Sequence, residues 1–472
     1  MKMVKSLLLG TAAGLVAMTG AQAADLPVKA KPVQYVKICS LYGAGFYYIP
    51  GTDTCIKVGG FVRNESGYNA GGSYATYVNG TQALYDRAQE TWTTRTRTAM
   101  TLDVREQTEY GTLRAYMRGG FQWSTADNIT SNNNITYFDR GFIQFAGFTT
   151  GKTASFYDFH SHPTYSYQTQ LLAGESGGAG TNVFGYTAQL GNGLSATIAA
   201  EDSSFRRAPV INNTAALSTF NTANAATEPR GSIAPEVVAN LRIDQAWGSA
   251  QVQGAAHLVG AQRTGTSQIV HPSDKWGTAV GVGASFNLPM LGKGDTFSVG
   301  ANWANGAVRY VSNPGVTNGT GMVFGLRQGN TIAMGEVVDG TIDVAGTGID
   351  LSQAWSISGG YQHFWSPKWR TGVYGQYMNF KQSSATVDAL CVAGGQAAGC
   401  QDFKGYQIGT RTQWNPVSNL DVGIDLMYTR ANTAQNGRVI SVVSNGGAAS
   451  TATAGDIGVW SAFFRVQRNF YP

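Results

Sequence analysis

Along residues 91–105, TWTTRTRTAMTLDVR, the side chains sort into two sets at a spacing of two. Trp92, Thr94, Thr96, Thr98, Met100, Leu102 and Val104 form one set; Thr93, Arg95, Arg97, Thr101, Asp103 and Arg105 form the other. A helical repeat would scatter the arginines around its axis, whereas a strand gives each set its own face. One face suits an apolar phase and the other suits water. Composition fits the same pattern: only 13% of residues are charged, against roughly 25% in ordinary globular chains, and glycine is raised to 61 of 472.

The two-sided pattern recurs along the chain. The spacing predicts sixteen strands: 56–66, 90–105, 111–121, 134–148, 152–157, 181–190, 194–203, 233–244, 249–260, 275–288, 295–306, 351–363, 369–382, 403–414, 419–431 and 456–470. Short connections at 106–110, 149–151, 191–193, 245–248, 289–294, 364–368 and 415–418 alternate with long polar ones. The stretch 307–350 is long enough to hold further short strands. In hydrocarbon no water satisfies a bare backbone N–H, so strands cross a membrane only as a closed ladder. An even strand number, short turns at one end and long loops at the other describe a bacterial outer-membrane barrel. About sixteen strands leave a lumen wide enough for water, where roughly eight would be filled by side chains. The fold class expected is therefore all-β, a 16-stranded antiparallel transmembrane β-barrel. Trp365, Trp369 and Trp414, at short turns, suit one interfacial girdle.

Residues 1–23 read as a secretory signal peptide: Lys2 and Lys5, an apolar run from Leu7 to Met18, then Ala21-Gln22-Ala23. Residues 24–472 then make a single barrel domain. A formal net charge of +5 over this length is no nucleic-acid footprint, so no nucleic-acid partner is expected. Cys39 with Cys55 and Cys391 with Cys400 suggest two disulfides in an oxidising compartment. Neither pair has the short spacing or nearby histidine of a metal site; no metal and no cofactor are expected.

The stretch QYVKICSLYGAGFYYIPGTDTCIKVGGFVR (34–63), the leader region AADLPVKAKPVQYVKIC and the terminal RVQRNF resemble the alphaproteobacterial general porin family from end to end. Tyr471-Pro472 after Phe470 departs from the terminal aromatic of such chains. The resemblance implies a trimer of sixteen-stranded general-diffusion channels in outer-membrane lipid, each with its third loop folded inward, passing small hydrophilic solutes.

A channel of this kind has no catalytic residues; it sieves at a constriction whose transverse charges orient water and polar solutes. The loop after the fifth strand, about 158–180, carries Asp158, His160, His162, Tyr165, Tyr167 and Glu175. By parity the lumen face carries Arg63, Arg95, Arg97, Arg114 and Arg118, joined on closure by Arg465. Those arginines, facing Asp158 and Glu175, are the expected constriction. The alternative has them paired with Asp103 or Glu65 as ordinary lumen salt bridges. Two other functions compete. A substrate-specific channel would need a track of stacked aromatics or a dedicated binding cluster. An outer-membrane esterase or phospholipase would need a nucleophile, and Gly174-Glu175-Ser176-Gly177-Gly178 matches G-x-S-x-G without the strand-to-helix setting that chemistry requires.

Overall fold

The computed structural model describes residues 37–69, 92–125, 134–159, 165–168, 180–211, 226–227, 230–261, 272–312, 323–328, 330–343, 345–387, 401–443 and 449–470. Sixteen strands form one closed antiparallel sheet, to which the two-residue strand Tyr47–Tyr48 adds beside Cys55–Ile56. They are β1 (Cys55–Tyr68), β2 (Trp92–Thr108), β3 (Gly111–Ser124), β4 (Asn134–Phe145), β5 (Phe148–Thr153), β6 (Thr181–Gly191), β7 (Leu194–Glu201) and β8 (Glu236–Gln245). The second half comprises β9 (Gly248–Val259), β10 (Lys275–Asn287), β11 (Thr296–Asn305), β12 (Gln353–Ser366), β13 (Trp369–Lys381), β14 (Phe403–Trp414), β15 (Leu420–Asn432) and β16 (Ile457–Asn469). Each strand pairs with its successor, and β1 also pairs with β16 from Phe61↔Asn469 to Tyr68↔Ala462. That last pairing removes both edges and makes the sheet a barrel.

The period-two faces are real. Trp92 and Met100 are 58% and 50% exposed on the outside of β2, while Arg95, Thr101 and Asp103 are buried on its inside. At the short-turn rim the indoles of Trp369 and Trp414 stack at 5.6 Å, cross-strand neighbours suited to the membrane interface. One expected boundary moves. The fifth strand begins at Phe148, not 152, because the turn is Ala146-Gly147 and not 149–151. Both turn residues have positive φ, 49° and 86°, the conformation of a tight hairpin turn with the strands' own twist. Near the closure, Gly60 (φ +155°) is obligatory. A Cβ there would lie 2.1 Å from the Ala99 carbonyl oxygen and 2.6 Å from the Phe470 ring.

Loops add structure inside and above the barrel. The 306–352 loop contributes strands Val323–Gln328, Thr331–Glu336, Gly340–Ile342 and Ile349–Leu351, so the expected hidden strands exist. Two of these join strands from the 433–456 loop, and two join strands from the 202–235 loop, in separate four-stranded sheets. Their apolar residues Val308, Val311, Ala333 and Val337 pack with Met378, Phe380, Phe403 and Val459. The last four belong to the lumen parity of β13, β14 and β16, so the largest buried apolar cluster lies within the mouth and not between layers.

Before β1, Cys39 is bonded to Cys55, and the small core Cys39–Phe46–Cys55 sits beneath β1 and β2. The Arg105 guanidinium lies over the rings of Phe46 and Tyr42 at 5.0 and 5.6 Å. The Cys391–Cys400 pair lies outside the described residues. Because the bridge closes a short segment, its removal acts locally. Reduction, or Cys39→Ser, should open residues 42–48 to chymotrypsin while the sixteen-strand core stays protease-resistant. Equal cleavage of the oxidised and reduced forms would show that the tether does not hold this segment.

Candidate pore constriction

The antiparallel register assembles the arginines that parity places inward. Arg63 lies opposite Arg97, and Glu65 lies opposite Arg95 on one side and Arg465 on the other. Four guanidiniums thereby gather around one carboxylate. Arg95 donates to Glu65 from Nε at 2.9 Å and again from Nη2, and Arg465 donates from Nε to Glu65 at 2.6 Å. Glu65 and Arg95 are 1% and 2% exposed, so this pair is structural. Arg63 donates to Gln467 at 2.6 Å and lies 3.7 Å from Glu65. Arg97 donates to Gln122 and lies over the Tyr137 ring at 4.3 Å.

A second tier stands nearer the short turns. Arg105 and Arg114 share Asp103, at 2.8 and 2.9 Å. Arg118 pairs with Asp139 at 3.2 Å. Asp139 reaches it because a bulge opposes Arg118 to Arg140 and Gly119 to Phe138, leaving Asp139 without a cross-strand partner. Side-chain exposure separates the roles. Arg63, Arg114 and Arg118 keep 16%, 26% and 31%, enough to meet a solute, whereas Arg95 and Arg465 serve the wall.

Residues 154–159 and 165–168 of the loop between β5 and β6 contact the inside of the barrel. Asn240 donates to the Phe156 carbonyl at 2.6 Å, and Asp158 pairs with Arg206 at 3.0 Å, within electrostatic range of Arg140. Residues 165–168 then meet the opposite wall. Tyr165 Oη donates to Ser298 of β11 (2.7 Å), Ser166 Oγ and the Tyr167 amide donate to Asp425 of β15 (2.7 and 2.5 Å), and Ser461 of β16 donates to Gln168 (2.6 Å). Tyr167 Oη donates to Asp421 at 2.5 Å, and the Arg465 guanidinium covers the Tyr167 ring at 4.0 Å. All these partners have lumen parity, so the described part of this loop lies within the barrel. Glu175, His160, His162 and the Gly174–Gly178 segment lie outside the described residues.

Several residues important here were not singled out from sequence. Asp421, Asp425 and Arg411 hold the inward loop; their lumen parity among Ile408, Ile424 and Leu426 was the available signal, since charge in a membrane-crossing strand carries a cost. A buried cluster fixes the 306–352 loop. His257 of β9 bonds Glu236 of β8 at 2.7 Å and Asp339 of that loop at 3.2 Å, while Asp339 accepts the Val308 and Ala208 amides.

A closed sixteen-stranded sheet with an apolar outside, aromatic rings at its rim and a charged interior is an outer-membrane β-barrel of the porin class. Residues 25–460 match the family model for the porin subfamily, and the chain belongs to that family. It is 34% identical over 255 residues to the porin Omp2b of Brucella suis, covering 52% of this chain and 64% of that one. With Omp2b of Brucella canis it shares 36% over 211 residues, 42% and 54% of the two chains. The chain thus spans between about half and two thirds of these relatives. The outer-membrane channel DcaP of Acinetobacter baumannii superposes with a TM-score of 0.61 at 14% identity, over 90% of this chain and 99% of that one, which shows the shared fold.

Removing the shared carboxylate tests the wall. Glu65→Gln strands buried guanidiniums, and breaking such a pair costs roughly 3–5 kcal/mol. The barrel should unfold at lower temperature in heat-modifiability gels, with partial recovery in Glu65→Gln/Arg95→Gln. An unchanged midpoint in the single variant would show that Glu65 is not the keystone of this cluster.

Proposed function

We propose that the chain forms a water-filled channel for passive diffusion of small hydrophilic solutes and ions, working as a homotrimer after cleavage behind Ala23. The observation that carries this reading is the set of partly exposed arginines on the inside of a closed sixteen-strand barrel. A lumen lined by solvated charge conducts water and ions, and a mouth narrowed by inward loops limits size. Arg63, Arg97, Arg114 and Arg118 form the selectivity wall, with Arg95 and Arg465 holding it in place. Asp158 and Glu175 are the proposed acidic side of the constriction. Kinship with porins of Brucella supports the channel reading over a lipid-hydrolysing one.

Liposome swelling tests the general-diffusion reading. Rates should fall smoothly as sugars grow; saturation with one sugar alone would indicate a substrate-specific channel, and no swelling would remove the channel. A trimer should close in three equal conductance steps under high voltage, and purified protein should begin at Ala24 by mass spectrometry.

The wall makes its own prediction. Arg97→Gln/Arg114→Gln should shift the potassium-to-chloride permeability ratio toward potassium by roughly twofold or more, read as reversal potential in a salt gradient. An unchanged reversal potential would take these two residues out of the selectivity wall.

A further inference from the structure

Beneath the inward loop, at the short-turn end of β12–β16, lies a cavity of about 650 Å³. That is within the range of roughly 300–1,000 Å³ typical of small-molecule sites. Its charge is one-sided. Arg63, Lys368, Arg370, Arg411 and Arg465 line it, with Asp421 as the sole acidic lining residue among the described residues. Asp421 is already engaged: it accepts from Tyr167 Oη at 2.5 Å, Gln413 at 2.7 Å and Arg370 at 3.4 Å. Glu65, which offsets Arg63 and Arg465, is not among the lining residues. Five cations and three neighbouring carboxylates (Asp421, Glu65, and Asp425 opposite Arg411) leave a positive excess on walls drawn from β1, β13, β14 and β16 and from the Pro367-Lys368 turn.

We propose that this cavity is a saturable binding site for small oligoanions, solutes carrying two or more carboxylate or phosphate groups on a short skeleton. Guanidiniums present planar donor forks that match such groups, and several forks around one cavity reward several anionic groups at once. A neutral sugar finds less here. The aromatic ring of the cavity, Tyr167, is covered by the guanidiniums of Arg465 at 4.0 Å and Arg411 at 5.0 Å, so it offers no free stacking platform. Lys368, on the exposed turn, extends the positive field to the entrance. The channel therefore holds oligoanions on their way through while neutral solutes pass. This rests on the reading of the barrel as a channel.

The test is single-channel recording in about 0.1 M KCl, where screening is moderate. Citrate and inorganic pyrophosphate serve as the carboxylate and phosphate probes, with acetate as a monoanion and glucose as a neutral solute. Either oligoanion should reduce the current saturably, acetate and glucose should not at equal concentration and ionic strength, and added KCl should weaken the block. Losing a charged hydrogen-bond donor costs about tenfold in affinity. Lys368→Gln/Arg370→Gln should accordingly need up to about a hundred times more probe for half-block, and Lys368→Gln alone about ten times more, which carries the test should the double variant fail to fold. Lys293→Gln, on another short turn outside the cavity, should block like the unaltered protein. Overturning results are oligoanions that behave like acetate, or an unchanged half-block concentration in Lys368→Gln/Arg370→Gln. If the open channel itself carries no current, the channel reading falls. Calorimetric titration of detergent-solubilised protein with citrate and pyrophosphate then decides the site, since heat lost in Lys368→Gln/Arg370→Gln supports it and no heat from the unaltered protein refutes it.

Discussion

Everything in this molecule follows from the requirement that backbone N–H and C=O groups within hydrocarbon find partners in the chain itself. Sixteen strands meet it only when the last pairs with the first. The ladder from Phe61↔Asn469 to Tyr68↔Ala462 makes that closure, and Gly60 with the Phe470 ring fits against it. Closure fixes which face of every strand looks inward. It brings Arg465, near the end of the chain, beside Glu65 and Arg95, near its start.

Inside the barrel, the two halves are used differently. On the β8–β16 side, loop residues pack on apolar lumen positions, and a buried histidine between two carboxylates ties the 306–352 loop to β8 and β9. On the β1–β4 side, guanidiniums line the wall and share few carboxylates, Glu65, Asp103 and Asp139. Between them, Ser166 and Tyr167 of the inward loop bond to Asp425 and Asp421 of β15. Charge is thus concentrated where water is retained, and apolar surface where the mouth is filled. The cavity at the short-turn end of β12–β16 shares Arg63 and Arg465 with the arginine wall, so the basic lining runs on from that wall into the cavity.

Sequence periodicity carried most of the barrel because sidedness is a local property. A residue two positions away reports the same face whatever its partner strand. The strands were legible in that way, apart from the start of the fifth, as was the inward parity of Arg63, Arg95, Arg97, Arg114, Arg118 and Arg465. The Cys39–Cys55 bridge was legible instead from the even number and close pairing of the cysteines. The fifth strand slipped because Gly151 resembles a turn residue, while the turn is made by Ala146, a residue rarely found at positive φ. Contacts between distant segments were not legible. Nothing local to Asp425 announces that it accepts from Ser166, or that Asp339 reaches His257. Such pairs depend on loop paths across the lumen, which no repeat encodes. The same holds for the cavity lined by Lys368 and Arg370, whose walls come from strands far apart in the chain.

Closure is the claim that most directly supports the rest, and amide hydrogen exchange followed by mass spectrometry measures it. In detergent or bilayer, amides of residues 62–68 and 462–469 should exchange as slowly as those of β13 and β14, which have a neighbour on each side. Fast exchange confined to these two segments, like that of a free sheet edge, would mean the barrel is open and would contradict the account.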